Sequence, residues 1–422
     1  MTNKKTALQV IESLRKGTPP KKGVELYGVG NEKLIEGIKK HHLSAIMDFG
    51  KIRFVNGSWG TGKTHFFRQL REVSFQYDCP VSTVQLNVDD AALNKFETIF
   101  ASIIRNIAAP SNHSDDTDDG SFGFGTVLRE SLAHLSTGNR SISKEISSAQ
   151  FTAAKEALMT KEEIDIDFRK MVQKYWETFF LEIQDKAIIG QEKDEIRQWF
   201  TGEGKISDFK KKFGVVKIID RTNAKIMLGS LAEFVKLSGY NGLVILFDEA
   251  EQSYSLMRQS SLKDAHNNLL TLINTIDELT GLFLIYATTF DFFTDPKYGI
   301  VIYGALAGRI GKPQDRPPRA LDTIWNLDAV ETSLESYQEA AKKILALYQC
   351  AYPETKEKLP SEDDISEKVA ELLAMHSNLA EIRFWRLLVT AIVADLDDHS
   401  EGEPRETPQL YGDVMENLRD EV

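Results

Sequence analysis

The run Gly57-Ser-Trp-Gly-Thr-Gly62-Lys63-Thr64 fits G-x-x-x-x-G-K-[ST] in full. That spacing belongs to a loop whose glycines let backbone N–H groups turn inward around a phosphate. A helix beginning there adds the positive end of its dipole. The candidate nucleotide-binding set is therefore Gly57, Ser58, Trp59, Gly60, Thr61, Gly62, Lys63, Thr64 and His65. Lys63 is expected to reach the β- and γ-phosphates, and the Thr64 hydroxyl to hold Mg²⁺. A chance glycine turn would lack the context found here: an apolar strand (Phe54, Val55) before and a helical pattern after.

Leu243-Val-Ile-Leu-Phe-Asp248-Glu249 is an apolar run ending in two carboxylates. Asp248 then falls at the carboxyl end of a buried strand, where open α/β sheets bind ligands, and is expected to help hold Mg²⁺. Glu249 is placed to polarise an attacking water. A solvated acidic turn is the bland alternative, and Glu251 is the weaker candidate base. Thr288-Thr289 ends a further apolar run, LFLIYA, so either hydroxyl could touch a γ-phosphate or its water; a strand-end cap is the alternative. Two arginines are candidates for stabilising charge on a transferring phosphoryl group: Arg383, on a C-terminal helical block, and Arg309, which could act on a neighbouring subunit's site. Arg316 and Arg319 follow in a Pro-rich loop. His41-His42 reads as a solvent-facing pair, Tyr348 and Trp385 as helix packing, and Ser253 and Ser260 lack a triad pattern.

The elements that position these residues follow from periodicity. Residues 51–55, 81–88, 243–247, 282–287 and 323–327 read as strands, several of them continuous apolar runs typical of strands buried on both faces. Leu93–Ala108 and Ser261–Thr280 read as helices, as do 333–349, 362–376 and 379–396, and Asn31 could cap a helix near the start. The stretch from Pro110 is polar, acidic and Gly-rich, then helical and charged to about Phe213. The expected fold is α/β: a three-layer P-loop core with a parallel sheet, a mainly helical insertion and an α-helical C-terminal lid. Its expected segments are 1–50, an N-terminal helical linker; 51–109 and 215–328, the two parts of the core; 110–214, the insertion; 329–396, the lid; and 397–422, an acidic, solvated tail.

Composition limits the alternatives. The 422 residues carry 51 Lys+Arg against 63 Asp+Glu, a net charge of −12, so a generally basic nucleic-acid surface is not favoured. The two cysteines, Cys79 and Cys350, lack metal-site spacing and point to a reducing compartment. No apolar run is long enough to span a bilayer and the start lacks a signal-peptide pattern, so the expected location is cytoplasmic.

The motif order Gly57–Thr64, Asp248-Glu249, Thr288/Thr289, Arg309 and Arg383 resembles the AAA+-like branch of P-loop ATPases, with an initiator-type lid. More specifically, four segments resemble the ATP-binding protein of BREX phage-defence systems, the BrxD-like family: KKGVELYGVGNEKLIEGI (21–38), RFVNGSWGTGKTHFFRQL (53–70), GLVILFDEAEQ (242–252) and IYATTFDFFTDPKYGIVIYGALAGRI (285–310). The resemblance covers the core and not the 110–214 insertion. It implies ATP and Mg²⁺ as cofactors, adenine near Val24–Val29, homo-oligomer formation with Arg309 completing a neighbour's site, and other subunits of a defence complex acting on DNA. The family's "GT" after the sensor strand is "TT" here, so Thr288 and Thr289 both stand as sensors. Two readings follow: an ATPase working as motor or switch, or a nucleotide-gated DNA- or partner-loading module with little intrinsic turnover.

Overall fold

The computed structural model describes residues 3–87, 91–113, 123–141, 146–184, 190–250, 254, 256–376 and 383–420. The expected strands assemble into one six-stranded sheet. Its strands are β1 (Lys51–Asn56), β2 (Val81–Gln85), β3 (Ile107–Ala108), β4 (Leu243–Asp248), β5 (Leu282–Thr288) and β6 (Ile324–Asn326), in the spatial order β3-β2-β4-β5-β1-β6. All neighbours are parallel except β3, which runs antiparallel to β2. Every residue of β4 and β5 is buried, as their unbroken apolar runs require when both faces are covered.

Alternate residues serve the two faces. Val55, Val244, Leu246, Phe283 and Ile285 pack with Phe66, Phe67 and Leu70 of helix Lys63–Gln76. Phe54, Leu243, Ile245, Phe247 and Leu284 face the other way, toward helices Phe96–Asn106, Ala224–Leu237 and Gln259–Thr275. Helices Phe124–Thr137, Ile166–Ile183 and Gly190–Phe200, from the stretch read as an insertion, bury Phe124, Phe168, Trp176 and Trp199 in that same cluster.

A separate apolar cluster holds the C-terminal helices Leu334–Ala351, Glu362–Met375, Phe384–Glu401 and Thr407–Asp420. Helix Lys4–Arg15 joins them, burying Ala7, Val10, Ile11 and Leu14 against Ile344 and Leu388.

Four expectations are corrected. Residues 397–419 do not form a solvated tail: helix Thr407–Asp420 buries Leu410, Val414, Met415 and Leu418, and Glu416 lies on the outer face of a packed element. His42 is buried, not solvent-facing: its ring stacks on Phe283 at 5.1 Å and its Nε2 donates to the Ala320 carbonyl at 2.6 Å. The helix expected to run to Ala108 stops at Asn106, because Ile107 and Ala108 pair with β2 instead. Asn31 stands at a helix start without capping it through its side chain; its Nδ2 donates to Gln69 Oε1 at 3.1 Å.

Candidate functional site

Parallel strands bring their carboxyl ends to one edge, and that edge here is polar. Asn56 pairs in register with Thr288 on one side and Asn326 on the other, while Asp248 pairs with Gln85. A cleft of about 480 Å³ opens over this edge, between the Gly57–Thr64 loop, the 17–31 segment and the C-terminal helices. Asp248, Glu249, Asp328 and Arg383 line it together with the loop.

The loop leaves β1 with the Gly57 N–H donating to the Thr288 carbonyl at 3.1 Å. Gly60 and Gly62 adopt φ of +75° and +100°, conformations that a side chain would strain, so the glycines are required where the loop wraps. Helix Lys63–Gln76 begins immediately after Gly62. Lys63 folds back to donate from Nζ to the Gly57 carbonyl at 2.7 Å, and its ammonium lies 5.7 Å from the centroid of the Trp59 ring. Trp59 itself is 61% exposed.

The two metal-site candidates meet. The Thr64 hydroxyl donates to Asp248 Oδ2 at 3.1 Å, joining positions 184 residues apart in the chain. Asp248 is buried, which raises its carboxyl above the usual range; Thr64, the Glu249 N–H and Lys63 oppose that rise. Glu249 follows with φ +58°, the left-handed region, and its N–H donates to Asp248 Oδ1 at 3.0 Å. Burial and the adjacent Asp248 charge raise its carboxyl as well. A hydroxyl and a carboxylate are hard oxygen donors suited to Mg²⁺, which usually takes its remaining ligands from substrate phosphates and water. Among the described residues no group of three or more His, Cys, Asp or Glu side chains could hold a metal ion by itself.

Of the two threonines, Thr288 is fully buried with an Oγ1 that has no hydrogen-bond partner, whereas Thr289 sits at the start of helix Phe290–Thr294. Arg383 enters the cleft: its Nη2 lies 3.9 Å from Asp328 Oδ1. Arg309 does not line the cleft; it is exposed on helix Gly304–Ile310 and donates to Asn274 Oδ1. Arg316 is held by Asp322 through two hydrogen bonds of 2.9 Å. Glu251 and Ser253 lie outside the described residues. His65 is reached through its side chain, with Tyr27 OH 3.2 Å from Nδ1, and burial pushes its imidazole down to about 4.

Sequence reasoning missed Asp328. Its carboxylate accepts from the Ser58 N–H at 3.0 and 2.9 Å, from Ser58 Oγ at 2.9 Å and from Thr61 Oγ1 at 2.7 Å. A signal existed: Asp328 follows the last apolar strand, as Asp248 ends β4, and so falls on the ligand-facing edge. Also missed were Asn326 and Asn56, which stand beside Thr288 at that edge; Asn56 Nδ2 donates to Asn326 Oδ1 at 2.7 Å. The segment expected near adenine contributes Tyr27, Gly28 and Val29 to the cleft wall, while Val24 is buried outside it.

No curated protein and no solved structure matches the chain. One family model does, that of the BREX system ATP-binding protein BrxC/D, over residues 2–411. With that match spanning nearly the whole sequence, and a glycine loop at the carboxyl edge of a mostly parallel sheet, the chain belongs to the BREX system ATP-binding protein BrxC/D family.

Proposed function

We propose that this protein is a Mg²⁺-dependent, AAA+-like ATPase acting as motor or switch within a phage-defence complex on DNA. The observation that carries the reading is the meeting of Thr64 and Asp248 beside Glu249, at the mouth of the glycine loop. Lys63 binds the β- and γ-phosphates, taking them in place of the Gly57 carbonyl it now meets. Thr64 and Asp248 hold Mg²⁺, which supplies charge neutralisation on the phosphate oxygens. Glu249 orients the attacking water and accepts its proton; a carboxyl raised by burial is better suited to that than a solvated one.

The position of β5 between β1 and β4 supports a sensor role at its end. Thr288 is favoured over Thr289, since its buried hydroxyl has no protein partner and Thr289 begins a helix. Arg383 senses nucleotide from the lid, and exposed Arg309 completes the site of a neighbouring copy. No helix among the described residues is long and apolar enough to cross a membrane, and we place the protein in the cytoplasm with other subunits of the defence system.

The test is ATP turnover by wild type and Glu249→Gln across protein concentrations, with and without duplex DNA. Turnover per chain that rises with concentration and falls about 10²–10⁴-fold in the variant is the expected result. ATP binding without turnover under every condition overturns the stand-alone ATPase and leaves a nucleotide-gated loading module.

A further inference from the structure

β6 ends at Asn326, and the turn Leu327–Ala329 carries Asp328 to the glycine loop at the edge of the cleft. Three donors of that loop converge on its carboxylate: the Ser58 N–H, the Ser58 hydroxyl and the Thr61 hydroxyl. A carboxylate offers about four lone-pair sites, so these contacts use most of its capacity. The charge faces one further group, the Arg383 guanidinium at 3.9 Å. The Arg383 stem also lies over the loop: a Cβ placed on Gly60 would be 3.3 Å from Arg383 Cγ. One side chain thus touches both the phosphate loop and the lid arginine, within the same cleft.

Two consequences follow from charge and geometry. Hydrogen bonds to an ionised acceptor are stronger than neutral ones, so Asp328 shapes the Ser58–Thr61 turn before any ligand arrives. A triphosphate entering the cleft competes with Asp328 for Arg383, because both are anions and the guanidinium is the shared cation. A diphosphate, one phosphoryl group shorter, competes less well.

We infer that Asp328 is a positioning residue that clamps the glycine loop and holds lid Arg383 until a γ-phosphate takes it. The inference rests on the ATP reading above. The two can fail separately.

The experiment is calorimetric titration of the full chain with MgADP and MgATP, in a Glu249→Gln background so that ATP is not consumed. Asp328→Ala removes the clamp, and both nucleotides bind about tenfold more weakly. Asp328→Asn keeps an acceptor oxygen and an amide able to pair with the hydroxyls, but drops the charge on Arg383. The ATP-over-ADP preference then rises about threefold, and the rise disappears in Asp328→Asn/Arg383→Ala. Should Asp328→Ala fail to fold, Thr61→Val removes one donor from the opposite side, and both affinities fall about threefold. Unchanged affinities in Asp328→Ala, or in Thr61→Val where that variant stands in for it, overturn the clamp. An unchanged preference in Asp328→Asn, or one shifted equally without Arg383, overturns the coupling. If the Glu249→Gln parent binds neither nucleotide, the ATP reading itself fails and takes the inference with it.

Discussion

Every residue of β4 and β5 is buried, and the sheet is held by alternating apolar faces with helices on either side. The body formed by helix Lys4–Arg15 and the C-terminal helices also has an apolar centre, but ion pairs stitch it. Arg15 grips Asp397 through two hydrogen bonds of 2.8 Å, and Tyr348 OH donates to the same carboxylate at 2.7 Å. Lys368 Nζ lies 2.5 Å from buried Asp395, and Arg405 bridges Asp398 and Asp413. Charged links are weakened by salt in a way that buried hydrocarbon is not. The sheet fixes Asp248 and the loop, while the second body carries Arg383.

Four measurements break or sharpen this contrast. Trp325→Ala is expected to cost about 3–5 kcal/mol in denaturant unfolding, because Trp325 is fully buried against Phe66, Phe283 and His42. Nucleotide binding is lost with it, since the sheet is the scaffold of the loop. Leu388→Ala, fully buried in the second body, is expected to cost about 2–4 kcal/mol there. Hydrogen exchange checks it: helices Lys4–Arg15 and Phe384–Glu401 should lose protection together while β4 and β5 keep theirs. Faster exchange in the strands would dissolve the distinction.

Acidification should act on the sheet side. Burial pushes His42 and His266 down to about 4, below the ordinary imidazole value of 6.5. Between those values the two histidines take up protons more readily in the unfolded chain, whereas Glu72, raised by burial to about 7, does so more readily in the folded one. The histidine contribution to stability is therefore full above about pH 6.5 and falls as pH drops toward about 4, by about 1–3 kcal/mol for His42. Thermal unfolding of wild type against His42→Gln, which keeps a donor for Ala320, should isolate it: the stability difference between the two should change across that window in this direction. The smallest effect is expected from Arg15→Ala. Its pair with Asp397 is about one-third exposed on each side, at 33% and 29%, and is worth about 1 kcal/mol, with exchange increasing in helix Lys4–Arg15 alone.

Legibility in the sequence tracks the range of the interactions involved. The glycine loop, Asp248-Glu249 and the buried strands are local patterns: the loop joins β1 to a helix and Asp248 ends β4, as the run of residues implied. Thr288 could be narrowed to a strand end, but its orphaned hydroxyl appears only once β5 lies between β1 and β4. Asp328 was invisible as a loop clamp because its partners Ser58 and Thr61 are 270 and 267 residues away. The acidic C-terminal stretch looked solvated because its charges outnumber its apolar residues. Leu410, Val414 and Leu418 recur at helical spacing, yet they matter only against a neighbour the sequence does not name. His42 was misread for the same reason, since Phe283 and Ala320 that enclose it come from distant strand and loop.

Glu249 occupies a backbone conformation, φ +58°, that glycine or asparagine adopts more readily. Holding it there costs about 1–3 kcal/mol. Selection for heat tolerance alone would reward its loss. In a library of random variants sorted only for survival after heating, replacement of Glu249 by glycine should accumulate, and on the ATPase role proposed above the hardiest survivors are the inert ones. Its persistence in a population under infection and its disappearance in one under heat would measure how much fitness rests on that single carboxylate.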